Sequence, residues 1–80
     1  MDRKTIEIEL TSIFRELFED ENLVLTNEMT ANDIEKWDSL NHMLLIQKIQ
    51  GKFSIKFGLK EVVGLKTVGQ IIDAVEKKLN

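Results

Sequence analysis

The chain has 80 residues, 42% apolar and 31% charged, the length and make-up of one small globular domain, expected here over residues 1–80. Its net charge of -3 conceals a division: residues 1–38 carry eleven acids against four bases and residues 39–80 seven lysines against three acids, so the sign changes between Asp38 and Ser39. The absence of cysteine excludes disulfides, thiolate metal sites and a cysteine nucleophile; the lone His42 leaves little for a zinc centre or a Ser-His-Asp triad, and no apolar run is long enough to span a membrane.

Ile6, Leu10, Ile13, Phe14, Leu17 and Phe18 recur at the spacing of one helix face, which predicts a first helix from about residue 3 to about residue 19 with Asp2 as its N-cap. The acids Glu19, Asp20 and Glu21 oppose the helix dipole at its C-terminus and end it there. Residues 20–38 keep no period; Leu23, Val24, Leu25, Met29, Ile34 and Trp37 suit a long loop pinned to a core, with one short turn around Ala31–Ile34. A second helix is expected from Asp38 or Ser39 to about Lys52, with His42, Leu45, Ile46, Ile49 and Phe53 on its core face. Residues 53–57 read as an extended link closed by Gly58, Leu59–Val63 as a short helical turn ended by Gly64, and Thr67 as the N-cap of a last helix that buries Val68, Ile71, Ile72, Val75 and Leu79. The predicted fold is all-α, a four-helix bundle with a long first loop and a short third helix.

A body this small buries only about 60% of its unfolded surface, which leaves little room for a walled active site; no catalytic and no metal-ligating residues are expected. The second helix nevertheless carries more apolar side chains than one core face uses. Leu40, Met43 and Leu44, with Gln47 beside them, lie off the core stripe and form a contact face for partner proteins, or else a second buried side. Ser39 stands between a long loop and a helix start, where unpaired amides and the positive dipole end stabilise a phosphate ester; read alone, Asp-Ser there is equally an ordinary cap. His42 reads as a core-edge histidine rather than a base for Ser39, and Trp37 as packing the loop onto the bundle.

The string Glu35-Lys36-Trp37-Asp38-Ser39-Leu40-Asn41 resembles the attachment motif of the acyl carrier protein family, Asp-Ser-Leu after a long loop. The similarity extends over nearly the whole chain: the first helix, the wrapping loop, Phe53 at the end of the second helix, and Thr67-Val68 opening the last. The resemblance implies that Ser39 is esterified by 4′-phosphopantetheine, donated by coenzyme A through a phosphopantetheinyl transferase, and that acyl groups ride as thioesters on the arm. A chain without cysteine would thus receive its sulfur from outside. By the same likeness Asp38 assists modification and docking. Leu40, Asn41, Met43, Leu44, Gln47 and Lys48, with Val62 and Val63, form the docking region, and Leu45, Ile49, Leu59 and Ile72 belong to an interior that shelters the acyl chain. The implied partners are the transferase, an acyl-loading ligase or acyltransferase, and a synthase or transferase that consumes the acyl group; nucleic acid and membrane insertion are not expected. With no signal-peptide-like run, a monomer in the cytosol is expected.

The chain departs from the main fatty-acid carriers, which have a strongly acidic second helix. Asn41, Leu44, Gln50 and Gly51 stand where acids are usual, Lys48 and Lys52 are added, and no acid occurs from Ser39 to Lys60. Trp-Asp-Ser-Leu-Asn-His looks most like discrete carriers of secondary-metabolite or surface-polysaccharide pathways, so a specialised carrier is expected. Two alternatives remain open at this point: a peptidyl or aminoacyl carrier, although the glycines usual before its serine are absent, and an unmodified helical interaction module.

Overall fold

The structure, a computed structural model, describes residues 1–79. Its first helix, α1 (Arg3–Leu17), starts where the Asp2 carboxylate accepts a hydrogen bond from the Thr5 amide at 2.8 Å. That bond satisfies one of the four amides every helix leaves open, and the Thr5 side chain together with it holds the Asp2 carboxyl below the usual carboxylate range. The helix ends two residues before the expected position. Glu19 takes a left-handed conformation (φ 54°), while the Glu19 and Asp20 amides return to the Glu16 and Arg15 carbonyls at 3.4 and 3.0 Å. This is a Schellman turn in which glutamate occupies the position glycine usually holds. The closing feature is therefore backbone geometry, with the unfavourable acid run just beyond it.

Three further helices follow: α2 (Ser39–Phe53), α3 (Leu59–Gly64) and α4 (Val68–Leu79). Each lies where the hydrophobic spacing places it, and among the described residues there is no strand. α1 packs against both α2 and α4. The core between them takes Ile6, Leu10 and Phe14 from α1, Leu45, Ile46, Ile49 and Phe53 from α2, Val62 from α3, and Val68, Ile71, Ile72 and Val75 from α4. α2 stops at Ser54, also left-handed (φ 56°), where the Gln50 carbonyl accepts from the Ser54 and Ile55 amides.

The loop from 18 to 38 is built into the bundle. Leu23, Leu25 and Met29 lie half-buried against the core, Ile34 and Trp37 are buried, and Arg15 Nε donates to the Leu23 carbonyl at 2.8 Å. Its backbone also completes α4. The Val68 and Gly69 amides donate to the Met29 and Asn27 carbonyls, each at 3.0 Å, and the Gln70 amide donates to Thr67 Oγ1 at 3.1 Å. Gln70 Oε1 reaches back to the Lys66 and Thr67 amides, so a capping box and a loop together close the end of the helix.

This arrangement explains Gly69. A methyl group there would meet the Asn27 carbonyl oxygen at 3.1 Å and its Cβ at 3.2 Å. The loop cannot retreat without stretching both amide bonds. Gly69→Ala is accordingly expected to lower stability by about 1–2 kcal/mol, the cost of overpacking outweighing the better helix propensity of alanine, itself worth about 1 kcal/mol. Urea unfolding checks this; a more stable variant would mean the loop yields freely.

The division of charge is also absorbed by the fold. The acids of α1 face the lysines of α2, with Lys48 Nζ 3.3 Å from Glu16 and Lys52 Nζ 2.9 Å from Glu9, while Arg3 joins Asp73 and Glu76 of α4 at 2.7 and 3.2 Å. The hydrogen bond to Glu9 holds the Lys52 ammonium above the usual lysine range. Each such exposed pair contributes only about 0–1 kcal/mol. The two lysine pairs lie along the α1–α2 seam and bring the acidic half of the chain against the basic half.

Candidate functional site

The start of α2 is where loop, helix and charge boundary meet. Asp38 is the N-cap: its Oδ1 accepts from the Asn41 amide at 2.8 Å and its carbonyl from the His42 amide at 2.8 Å. Asn41 Nδ2 donates to the Lys36 carbonyl at 2.7 Å, tying the helix back to the loop behind it. Ser39 is the first helical residue, and it is exposed. The Ser39 and Leu40 amides have no carbonyl one turn back. Among the described residues no loop carbonyl covers them as Met29 and Asn27 cover α4. An exposed hydroxyl thus stands beside two open amides at the positive end of a 15-residue helix, a setting that accommodates a phosphate ester.

The turn leading to Ser39 is held from beneath. Trp37 is buried, edge-on to Phe14 with ring centroids 5.3 Å apart and tilted against Phe18 at 6.2 Å. Its indole Nε1 donates to His42 Nδ1 at 3.0 Å, and His42 Nε2 lies 3.2 Å from the Val62 carbonyl of α3. Trp37 immediately precedes the N-cap and His42 is the fourth helical residue, the two positions whose side chains commonly pack across a helix start. Spacing alone discloses the first step of this bridge, from Trp37 to His42; the second, to Val62, does not follow from it. Taken separately, the two residues read only as loop packing and core edge.

Most of the apolar side chains expected to form a contact face are exposed. Leu40 is 70% exposed, Val63 is 67% exposed, and Met43 and Leu44 are also open to solvent. Gln47 is exposed beside them. Three residues of the expected docking region sit differently. Val62 is only 6% exposed and contributes to the core. Asn41 is half-buried and engaged with Lys36, and Lys48 is paired with Glu16. Of the expected interior, Leu45, Ile49 and Ile72 are buried, but Leu59 is 76% exposed. α3 has six residues and turns a single side chain, Val62, into the core; Leu59 at its start points outward with Val63. Leu59 therefore belongs with the exposed apolar residues, not with the interior.

An apolar groove of about 400 Å³ runs between the loop and α3, lined by Thr30, Ala31 and Asn32 on one side and by His42, Val62, Val63 and Leu65 on the other. At the far end of α3, Glu61 is held in its ionised form, its carboxyl kept below the usual range by the Gly58 amide and by Lys78. No group of metal-ligating side chains is found among the described residues, and no helix among them is long and apolar enough to cross a membrane.

No protein-family model and no curated protein matches the chain. Solved structures do. The chain is similar to the holo acyl carrier protein of Geobacter metallireducens at 51% identity, over 91% of this chain and 84% of that one, with a TM-score of 0.85. It also shares its fold with the acyl carrier protein of Thermotoga maritima, at 24% identity over 99% of this chain and 92% of that one, with a TM-score of 0.84.

Proposed function

Because the chain belongs to the acyl carrier protein family, we propose that it carries acyl intermediates as thioesters on a 4′-phosphopantetheine arm esterified to Ser39. It is a carrier protein and not an enzyme. The observation that supports the attachment is the exposed Ser39 hydroxyl at the first position of α2, beside two uncapped amides. The residues present fit the arm: the helix start receives its phosphate, and the exposed apolar side chains of Leu40 and Met43 flank the point of attachment. When bound, the arm supplies the thiol that the chain lacks. The chain's own part is to hold the hydroxyl accessible through the Asp38 cap and to keep the turn rigid through Trp37.

Within this reading the unit spans residues 1–80, works in the cytosol as a monomer, and serves a dedicated pathway rather than the main fatty-acid one. The placement of charge supports that last point. The α2 lysines are engaged with α1, no acid follows Ser39 in α2, and the exposed face of α2 after the serine carries Leu40, Met43 and Leu44. A transferase, an acyl-loading ligase or acyltransferase, and a consuming synthase or transferase would meet this apolar face. Selection by shape and apolar contact would replace steering by acidic residues.

Incubation with coenzyme A and a broad-specificity phosphopantetheinyl transferase tests the attachment. The intact mass of the wild-type chain is expected to rise by one phosphopantetheinyl group and that of Ser39→Ala to stay unchanged. A wild-type mass that stays constant with several transferases would overturn the proposal. For the face, Met43→Glu and Leu44→Glu are expected to slow modification and acyl transfer about tenfold, the effect of losing one well-packed interface side chain. Their circular dichroism and melting are expected to remain close to wild type; lost helicity would instead make both residues structural. Loading by acyl ligases but not aminoacyl ligases is expected.

A further inference from the structure

The bridge through His42 does more than fill space. An indole N–H can only donate, so at 3.0 Å from Trp37 Nε1 the His42 Nδ1 atom is the acceptor. The ring proton then sits on Nε2 and is donated to the Val62 carbonyl, which can only accept, at 3.2 Å. One neutral imidazole in one tautomer joins the turn before Ser39, α2 and α3. Protonation would keep the bond to Val62 but place a second N–H on Nδ1, opposite the indole N–H. Two donors facing each other cannot bond, and Trp37 would lose its polar tether.

The charged groups around the ring are otherwise committed. The Asp38 carboxylate accepts from the Asn41 amide, Asp33 of the loop from the Thr30 amide, and Glu61 of α3 from the Gly58 amide and Lys78. Lys66 lines the groove beside His42, and α1 presents Phe14 and Phe18 to Trp37. Among the described residues no carboxylate pairs with the imidazole, so nothing in the surroundings replaces the lost bond.

We propose that His42 is a positioning residue for Ser39: as the neutral imidazole it latches the Trp37 turn to α3, and its protonation releases the turn and slows modification of the serine. The effect on Ser39 rests on the carrier reading; the latch itself does not.

The test uses the full chain in solution by NMR, between about pH 8 and about pH 5, where imidazoles change charge. The Trp37 Nε1–H resonance and the Val63 amide are expected to move on the same curve as the His42 ring protons. Relative to a free indole at the same pH, solvent exchange of the Trp37 indole N–H should quicken severalfold on the acid side. In His42→Gln, whose amide can accept from Trp37 and donate to Val62, the indole is expected to stay protected without pH dependence. In His42→Phe it is expected to exchange fast throughout. At one fixed neutral pH, with coenzyme A and a broad-specificity transferase, modification is expected to fall severalfold in His42→Phe and to recover in His42→Gln.

An indole resonance indifferent to the His42 titration overturns the latch, and wild type alone decides this if a variant fails to fold. An unchanged modification rate in His42→Phe overturns the role at Ser39. A wild-type chain that titrates as described yet takes up no arm supports the latch and contradicts the carrier reading alone.

Discussion

Phe14→Ala is expected to lower the unfolding free energy by about 3–5 kcal/mol, the usual cost of emptying a fully buried phenylalanine site. Phe14 has no solvent exposure, sits on α1, and touches both Phe18 and Trp37, with centroids 5.6 and 5.3 Å away. The substitution therefore does more than open a cavity. It removes the surface against which the turn preceding Ser39 is seated, so loop and core loosen together. A small domain has only about 5–15 kcal/mol to lose, and the melting temperature is expected to fall by more than about 12 °C. Thermal and urea unfolding followed by far-ultraviolet circular dichroism measure this. A loss below about 1 kcal/mol would mean that the aromatic cluster does not hold the loop.

Trp37→Ala is expected to be comparably damaging, again about 3–5 kcal/mol, with a second effect that Phe14→Ala does not share. Trp37 lies two residues before Ser39 and supplies the indole donor to His42. Its loss frees the approach to the serine and leaves His42 Nδ1 without its partner. Trp37→Phe separates the two contributions: most packing is retained, and the lost hydrogen bond costs only about 1 kcal/mol. Measured well below each melting point, so that all chains are folded, modification at Ser39 is expected to decline in Trp37→Ala far more than in Phe14→Ala. Equal rates in both would reduce Trp37 to a core residue.

The helices were legible because each states its face several times over. The stripe Ile6, Leu10, Phe14 recurs on successive turns of α1, and Val68, Ile71, Ile72 and Val75 recur likewise over about two turns of α4, so local period and tertiary burial agree. Six residues do not suffice for such a vote, and α3 shows it. Leu59 and Val62 are equally apolar, yet only one faces inward, a choice made by the approach of the linkers rather than by the segment itself. The pairing of Lys48 with Glu16 and of Lys52 with Glu9 depends on which helices become neighbours, which charge counts along the chain do not contain. The completion of α4 by the Met29 and Asn27 carbonyls is contact through backbone, and its only trace in the sequence is the glycine at 69.

The candidate site shows the same division. Ser39 and the apolar side chains of Leu40, Met43 and Leu44 are local consequences of a helix start and its unused face, and both were readable. The bridge from Trp37 through His42 to Val62 crosses 20 residues of sequence in its second step and needed the fold.

The carrier role turns on one covalent bond, and fragmentation mass spectrometry of the intact chain, after incubation with coenzyme A and a phosphopantetheinyl transferase, locates it. The prediction is that all the added mass appears on fragments that contain Ser39 and on none that end at Asp38 or begin at Leu40. A chain that gains no mass, or gains it at another hydroxyl such as Ser12 or Ser54, would contradict the account.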